Sequence, residues 1–291
     1  MMGAHGLELL AVMLGAGGRA ADAAAVGAQA ATLRANIVRT MWNASAGAYC
    51  DGICAEVSGA SKVMSAIYSL DFGFVPAANI PGVWQTVADW GLQGIGDYGA
   101  FWWQMAIASG YYSNAPYDTP DDGTAIVNAL TKCDYYSWCS GLRDDNLTMT
   151  RESWHSGTYS HGWGTSAIVG VSWGVLGIHE TAPGWAAFTV MPKLGPLTSA
   201  TGTVPTLRGY INVTAGPGAV DVAVPCNTAA TLCTPRAAAD AERLTAAAFA
   251  LTIDGVEVAA VERAGHLCTA APVGCGAGGA PRAVRAPRRA A

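Results

Sequence analysis

The stretch Thr148-Met-Thr-Arg-Glu-Ser-Trp-His-Ser-Gly-Thr-Tyr-Ser-His-Gly-Trp-Gly-Thr165 is the one around which the rest of the chain is organised, ahead of a last helical run and the change to alternating patterning at Gly177. Within it stand the carboxylate Glu152, the histidines His155 and His161, the tryptophans Trp154 and Trp163, several hydroxyls, and Gly157, Gly162 and Gly164. Neither a 3.6-residue nor a two-residue period runs through it. A segment of this kind reads as a site loop and not as core.

These residue types suit a sugar site. A carboxylate polarises water, flat aromatic faces meet the apolar side of a ring, and hydroxyls and imidazoles partner the sugar's hydroxyls. Glycines let the backbone approach closely. On residue type alone Glu152 reads more readily as a solvated loop carboxylate than as a catalytic one.

Upstream, 6–14 and 20–42 carry apolar residues at helical spacing on either side of Gly15-Ala-Gly-Gly18, which predicts a helical hairpin. A loop over 43–56 holds Cys50 and Cys54, and 62–72 is a third helix ended by Gly73 and Pro76. The stretch 80–92 is a fourth, with Pro81 in its first turn. A glycine-rich turn then leads into an aromatic helix that starts near Asp97-Tyr98. Asp97 and Tyr98 either face a site from this helix mouth or, in the case of Asp97, cap the helix; Phe101, Trp102 and Trp103 read as core. Helices over 124–138 and 165–176 make about seven in all, the pattern of an α/α hairpin array or toroid.

Downstream of Gly177 the pattern becomes that of short strands bounded by Gly and Pro: 187–191, 197–203, 209–214 and 219–224. The segment 236–245, rich in Ala and charge, reads as a loop or short helix. Ala250 to Val258 reads as a hairpin turning at Asp254-Gly255. The expected organisation is a helical domain over 1–184, a small antiparallel β-sandwich over 185–278, and a disordered basic tail over 279–291.

At 291 residues and 51% hydrophobic content the chain can bury a substantial core. Only 13% of residues are charged and the net charge is −5, which argues against a nucleic-acid binder. The eight cysteines fall as four near neighbours, Cys50/Cys54, Cys133/Cys139, Cys226/Cys233 and Cys268/Cys275. None forms a Cys-x-x-Cys pair and no histidine completes a zinc set, so short-loop disulfides are the expectation, with connectivity open. Neither a metal nor an organic cofactor is expected. Sequons at Asn43, Asn146 and Asn212 fit the same oxidising, secretory or extracellular route. No run is long and clean enough to span a membrane, and 7–14, interrupted by Glu8, reads as a helix face and not as a signal peptide. The expectation is that the true amino terminus lies upstream.

The chain resembles the carboxy-terminal part of bacterial-type α-L-rhamnosidases, over about 5–275. The resemblance rests on Arg151-Glu-Ser-Trp154, Ser160-His-Gly-Trp-Gly-Thr165, Leu176-Gly-Ile178, Ala182-Pro-Gly-Trp-Ala186 and Met191-Pro192. It extends to Thr203-Val-Pro-Thr206, Arg208-Gly209, Pro225-Cys-Asn-Thr-Ala-Ala-Thr231, Leu251-Thr-Ile-Asp-Gly255 and, at the aromatic helix, Asp97-Tyr-Gly-Ala100. It implies an α+β multidomain fold, a partial (α/α)6 toroid followed by a small antiparallel β-sandwich. The implied activity is hydrolysis of terminal α-L-rhamnosyl bonds with inversion. The family's base maps onto Glu152 and its sugar-contacting histidine onto His161. Trp154, Tyr98 and Asp97 are the further candidate substrate contacts, although Trp154 reads almost as well as packing. Trp163 is expected to pack and His155 to stand aside.

Two departures from the pattern stand out. The family usually has Trp before its base, where this chain has Arg151, a charge that would lower the pKa of Glu152. The family's general-acid segment has no counterpart here. The implied partners are a rhamnose-containing glycoside and the missing amino-terminal half of the barrel, and the chain alone is expected to be weak or inactive. The competing reading is a non-catalytic carbohydrate-binding protein of the same fold.

Overall fold

The computed structural model describes residues 1–55, 63–93, 95–108, 123–235, 250–263 and 265–285. The expected segment 236–245 lies outside these residues.

The first two helices, α1 (Met2–Ala16) and α2 (Ala20–Met41), form the predicted hairpin. Glu8, the residue that breaks the apolar run of α1, receives Arg34 of α2 through Nε at 2.7 Å and Nη2 at 2.9 Å. The same guanidinium donates to Phe72 O at 2.9 Å and Gly73 O at 3.1 Å, and lies 3.9 Å from the Phe74 ring centroid. This cation, together with an apolar cluster of Ala4, Ile37, Tyr49, Phe72 and Phe74, docks the hairpin onto the turn that follows the third helix. Where a plain loop was expected, a minimal hairpin of β1 (Trp42–Asn43) and β2 (Ala48–Tyr49) follows.

Then come α3 (Val63–Asp71), α4 (Ile80–Trp90) and α5 (Asp97–Ala108). Pro81 sits in the first turn of α4 as predicted. The helix expected over 124–138 is two helices, α6 (Thr124–Thr131) and α7 (Trp138–Asp144). The chain leaves the helix at Lys132, and Ser137 starts the new one, its Oγ accepting Ser140 N–H at 3.1 Å.

The stretch expected as an irregular loop contains a hairpin, β3 (Arg151–Ser153) and β4 (Ser156–Tyr159), with a register shift between Arg151 and Ser153. Its strands are too short and too irregular to show a period. The final helical run passes from a 3-10 turn (Gly162–Ser166) through α8 (Ala167–Val169) to a π turn (Gly170–Val175). The described residues thus hold eight α-helices where about seven were expected.

The sheet begins at β5 (Ile178–Ala182), ahead of the expected boundary at 185, and continues with β6 (Ala187–Val190) and β7 (Ala200–Thr206). Next come β8 (Gly209–Gly216), β9 (Ala219–Ala223) and β10 (Ala229–Pro235). The last four are β11 (Ala250–Ile253), β12 (Val256–Arg263), β13 (His266–Thr269) and β14 (Arg282–Arg285). They form one ten-stranded mixed sheet, ordered β5-β6-β10-β13-β12-β11-β14-β9-β8-β7, in place of the small antiparallel sandwich expected. The physical reason is partner exchange within strands. The first half of β12 pairs with β11 and its second half with β13, while β10 runs parallel to β6 and then antiparallel to β13. The two would-be layers are thereby hydrogen-bonded into one sheet.

The β11–β12 hairpin turns at Asp254 and Gly255, both left-handed at φ 53° and 82°, as Asp-Gly predicts. The tail is not disordered over its first part. Arg282–Arg285 is a strand between β9 and β11, and its arginines reach Asp254 and Asp221, each at 2.8 Å.

The disulfides Cys50–Cys54 and Cys133–Cys139 join near neighbours as expected. The other two do not: they are Cys226–Cys275 and Cys233–Cys268. Cys233 lies in mid-strand, directly opposite Cys268 in the β10–β13 register. Strand residues rise about 3.3 Å each, so an extended chain carries Cys226 far out of its reach.

One apolar cluster runs from α3 to β14 through both halves, and a second, smaller one of Ala4, Ile37, Tyr49, Phe72 and Phe74 joins α1 and α2 to them. Buried Lys193 helps join them by donating from Nζ to Ala108 O at 3.1 Å. Gly177, where the pattern changes, has φ 63°, and a Cβ there would collide with the Met191 backbone. Only glycine fits this crossing.

Candidate active site

Glu152 lies on β3 and folds back over Gly157 at the start of β4. Gly157 has φ 89°, and a Cβ on it would come within 2.8 Å of Glu152 Oε2. Glu152 Oε2 accepts Thr158 N–H at 3.0 Å and Thr158 Oγ1–H at 3.2 Å. Thr158 Oγ1 also lies 2.7 Å from His161 Nδ1. A carboxylate only accepts and a threonine has one hydroxyl proton, so with that proton on the Glu152 side, His161 donates from Nδ1 and its Nε2 is left to accept. The two bonds from Thr158, backbone first, hold the Glu152 carboxyl below the usual carboxylate range, and the nearby His161 adds to them. Arg151 is not among the causes. Its guanidinium turns to Asp145, 3.0 Å away, and to Trp154 O at 3.1 Å. The lowering expected from Arg151 therefore comes from Thr158 instead.

Ser160, in the left-handed region at φ 56°, turns the chain back so that the His161 ring lies 3.8 Å from that of Trp163, tilted by 43°. Trp163 was expected to pack, yet it is 43% exposed. Its indole N–H donates to Glu152 O at 2.8 Å, and Tyr98 from the start of α5 meets it edge-on at 6.1 Å. Tyr98, Phe101, Trp102 and Trp163 line an aromatic hollow of about 480 Å³. Of the three aromatics of α5 expected in the core, Trp103 is buried, while Phe101 and Trp102 face this hollow.

Glu152, His161 and Tyr98 are thus brought together, and the reading of residue types missed Thr158 and Trp163. The signal for Trp163 is its flanking glycines, which make a 3-10 turn in place of the amphipathic α-helix assumed.

Trp154 and Asp97 stand apart from this group. Trp154 is buried, donates from Nε1 to Ile95 O at 2.7 Å and meets Trp138 edge-on at 5.3 Å. Its packing role prevails, although one side lines a second cavity together with Asp97. Burial pushes the Asp97 carboxyl up to about 6, against the pull of Arg151 and His155. His155 lies against Tyr135, with Nε2 at 2.6 Å from Tyr135 O. Among the described residues no three His, Cys, Asp or Glu side chains gather as a metal site. No described helix is long and apolar enough to cross a membrane.

Fold and site together define a helical array fused to a mixed sheet, with a carboxylate, an imidazole and aromatic faces at one mouth. Residues 177–247 match the family model of the bacterial alpha-L-rhamnosidase C-terminal domain. The whole-chain fold is similar to the α-L-rhamnosidase from Dictyoglumus thermophilum, with TM-score 0.74 and 14% identity, covering 98% of this chain and 31% of that one. It is also similar to the Streptomyces avermitilis α-L-rhamnosidase complexed with L-rhamnose, with TM-score 0.69 and 17% identity over 97% of this chain and 26% of that one. The Aspergillus terreus α-L-rhamnosidase matches at TM-score 0.55 and 19% identity over 80% of this chain and 28% of that one. The chain spans less than a third of the length of each. No curated protein matches it. The resemblance to the carboxy-terminal portion of α-L-rhamnosidases therefore holds, in the fold across nearly the whole chain and in the family model over 177–247.

Proposed function

We propose that this chain carries the base-bearing part of an α-L-rhamnosidase site, acting on terminal α-L-rhamnosyl bonds with inversion. The observation that carries the reading is Glu152, kept charged by Thr158 beside His161, Trp163 and Tyr98, next to an aromatic hollow of sugar size. Glu152 takes a proton from a water as the water oxygen bonds to the anomeric carbon and the glycosidic C–O bond breaks. His161 Nε2 and the Tyr98 hydroxyl meet sugar hydroxyls, and Trp163 offers its face to the ring.

Burial raises two described carboxyls, Asp97 and Asp71, and a raised pKa suits a general acid. Asp97 lines the other cavity, with its carboxyl buried beside Arg151, and Asp71 is wholly buried. The acid on this reading comes from sequence beyond these residues. Lack of it costs roughly a hundred- to ten-thousand-fold in rate. Exposed Val12 and Met13 of α1, at 69% and 70%, fit a helical array that is completed by further helices. Four disulfides fit an oxidising, extracellular setting.

The test uses the leaving group. 4-Nitrophenolate departs without protonation, so 4-nitrophenyl α-L-rhamnopyranoside is cleaved slowly, the β-anomer of rhamnose appears first by NMR, and Glu152→Gln abolishes turnover. Methyl α-L-rhamnopyranoside, whose leaving group needs an acid, is not cleaved. Turnover that survives Glu152→Gln overturns the assignment.

A second reading, a carbohydrate-binding protein without hydrolysis, is favoured by the hydrogen bonds from Thr158, since a carboxylate held low in pKa is a weaker base. Saturable rhamnose binding with no turnover of the nitrophenyl glycoside selects it.

A further inference from the structure

A second cavity, of about 300 Å³, lies between α5, α7, β3 and the final helical run, and neither Glu152 nor His161 lines it. Its walls are apolar: Trp138, Leu147, Met149, Trp154 and Ile168. Met149 and Ile168 are exposed, at 47% and 69%, and mark its open end. Asp97 and Arg151 supply its polar part. Asp97 is only 4% exposed, and among the described residues its Oδ1 meets no donor. Arg151 spends its terminal nitrogens on Asp145 and Trp154 O, while its buried Nε meets no acceptor among the described residues. Buried polar atoms left in this state are costly, and such cavities are where ligands supply the missing partner.

We propose that this cavity binds a small neutral phenol, its hydroxyl donating to the Asp97 carboxylate and its ring lying among Trp138, Met149 and Trp154. The charges select this chemistry. Asp97 repels an anion, the Arg151 charge is already paired with Asp145, and a neutral hydroxyl gives Asp97 the donor it lacks. Indole faces and a methionine thioether suit an aromatic ring better than an aliphatic chain. The volume stands at the lower end of small-molecule pockets and takes two fused rings. Burial raises the Asp97 carboxyl to about 6, so at pH 7.5 it is mainly ionised and accepts.

The experiment is calorimetric titration of the whole chain at pH 7.5 with 2-naphthol, naphthalene and 2-naphthoate. Expected are one saturable 2-naphthol site, naphthalene binding at least about tenfold weaker for want of a hydrogen bond to a charged group, and no naphthoate binding. Asp97→Leu removes the preference for naphthol over naphthalene. Ala167→Phe, which fills the cavity from its wall, abolishes binding of both, with circular dichroism reporting an intact fold. The proposal is overturned if naphthol and naphthalene bind the wild-type chain alike, if naphthol fails to saturate, or if its binding survives Ala167→Phe. The two hollows share Thr165 and Ile168 in their walls but differ in Asp97 and Arg151 on one side and Tyr98 and Trp163 on the other, so loss of naphthol binding with rhamnose binding kept, or the reverse, tells the failure of one reading from that of the other.

Discussion

At the scale of the residue, Thr158 decides how Glu152 behaves. A carboxyl whose folded pKa is depressed stays ionised to lower pH, so the acid limb of any Glu152-dependent reaction lies below the ordinary carboxylate range. Thr158→Val removes the hydroxyl donor and keeps the backbone donor. The limb then moves up in pH, read from the rate of 4-nitrophenyl rhamnoside cleavage between pH 3 and pH 7. An unmoved limb means that the hydroxyl does not act on Glu152. Asp97 runs the other way. Its carboxyl is raised to about 6, with Arg151 and His155 facing it, so its ionised form is disfavoured in the fold and stability falls as pH rises from about 4 through 6. Asp97→Asn removes this group's part of the dependence, so the thermal midpoint of the variant gains on the wild type as pH rises over that window. Residue types announced Glu152, His161 and Tyr98. They could not announce Thr158, because a threonine in a hydroxyl-rich loop looks like its neighbours until the hairpin brings it back onto the carboxylate.

At the scale of the element, two short segments hold the site and both were hard to read. The β3–β4 hairpin is irregular in register and the final run changes helix type twice, so neither carries a clean period. The long elements were legible. The α1–α2 hairpin and the Asp254-Gly255 turn follow from spacing and turn chemistry alone. The polar part of the α1–α2 docking is concentrated in Arg34, which links Glu8, Phe72 O, Gly73 O and the Phe74 ring beside an apolar cluster of Ala4, Ile37, Tyr49, Phe72 and Phe74. Arg34→Ala is expected to lower stability by about 2 kcal/mol, measured by urea denaturation. Glu8 is held below its usual pKa first by its hydrogen bond from Arg34, so its contribution is present above the unfolded carboxylate pKa and is lost as pH falls through the folded value. Glu8→Gln therefore costs stability at pH 7 and little at pH 3. At the crossing from helices to sheet, Gly177→Ala forces a Cβ into the Met191 backbone at a positive φ and is expected to cost about 2 kcal/mol or more.

At the scale of the whole molecule, the sequence reading gave two halves of different grammar, and the structure joins them by one apolar core. It missed how the strands connect. Partner exchange within β10 and β12 depends on residues far apart in the chain, and local alternation carries no trace of it. The same blindness explains the cysteines. Nearness in sequence pairs Cys226 with Cys233, whereas strand register pairs Cys233 with Cys268 and leaves Cys226 to Cys275. Peptide mapping without reduction is expected to recover the Cys226–Cys275 and Cys233–Cys268 links, which bind segments 49 and 35 residues apart and contribute about 3–4 kcal/mol each. Recovery of the neighbour pairs instead would mean that β10 and β13 do not lie side by side.

The central claim is that Glu152, His161, Trp163 and Tyr98 form one rhamnose-binding mouth, and titration with L-rhamnose tests it most directly. Saturable binding is predicted, weakened about tenfold or more by His161→Ala and by Trp163→Ala, with Ala167→Phe leaving it unchanged. No saturable binding, or binding indifferent to His161 and Trp163, contradicts it.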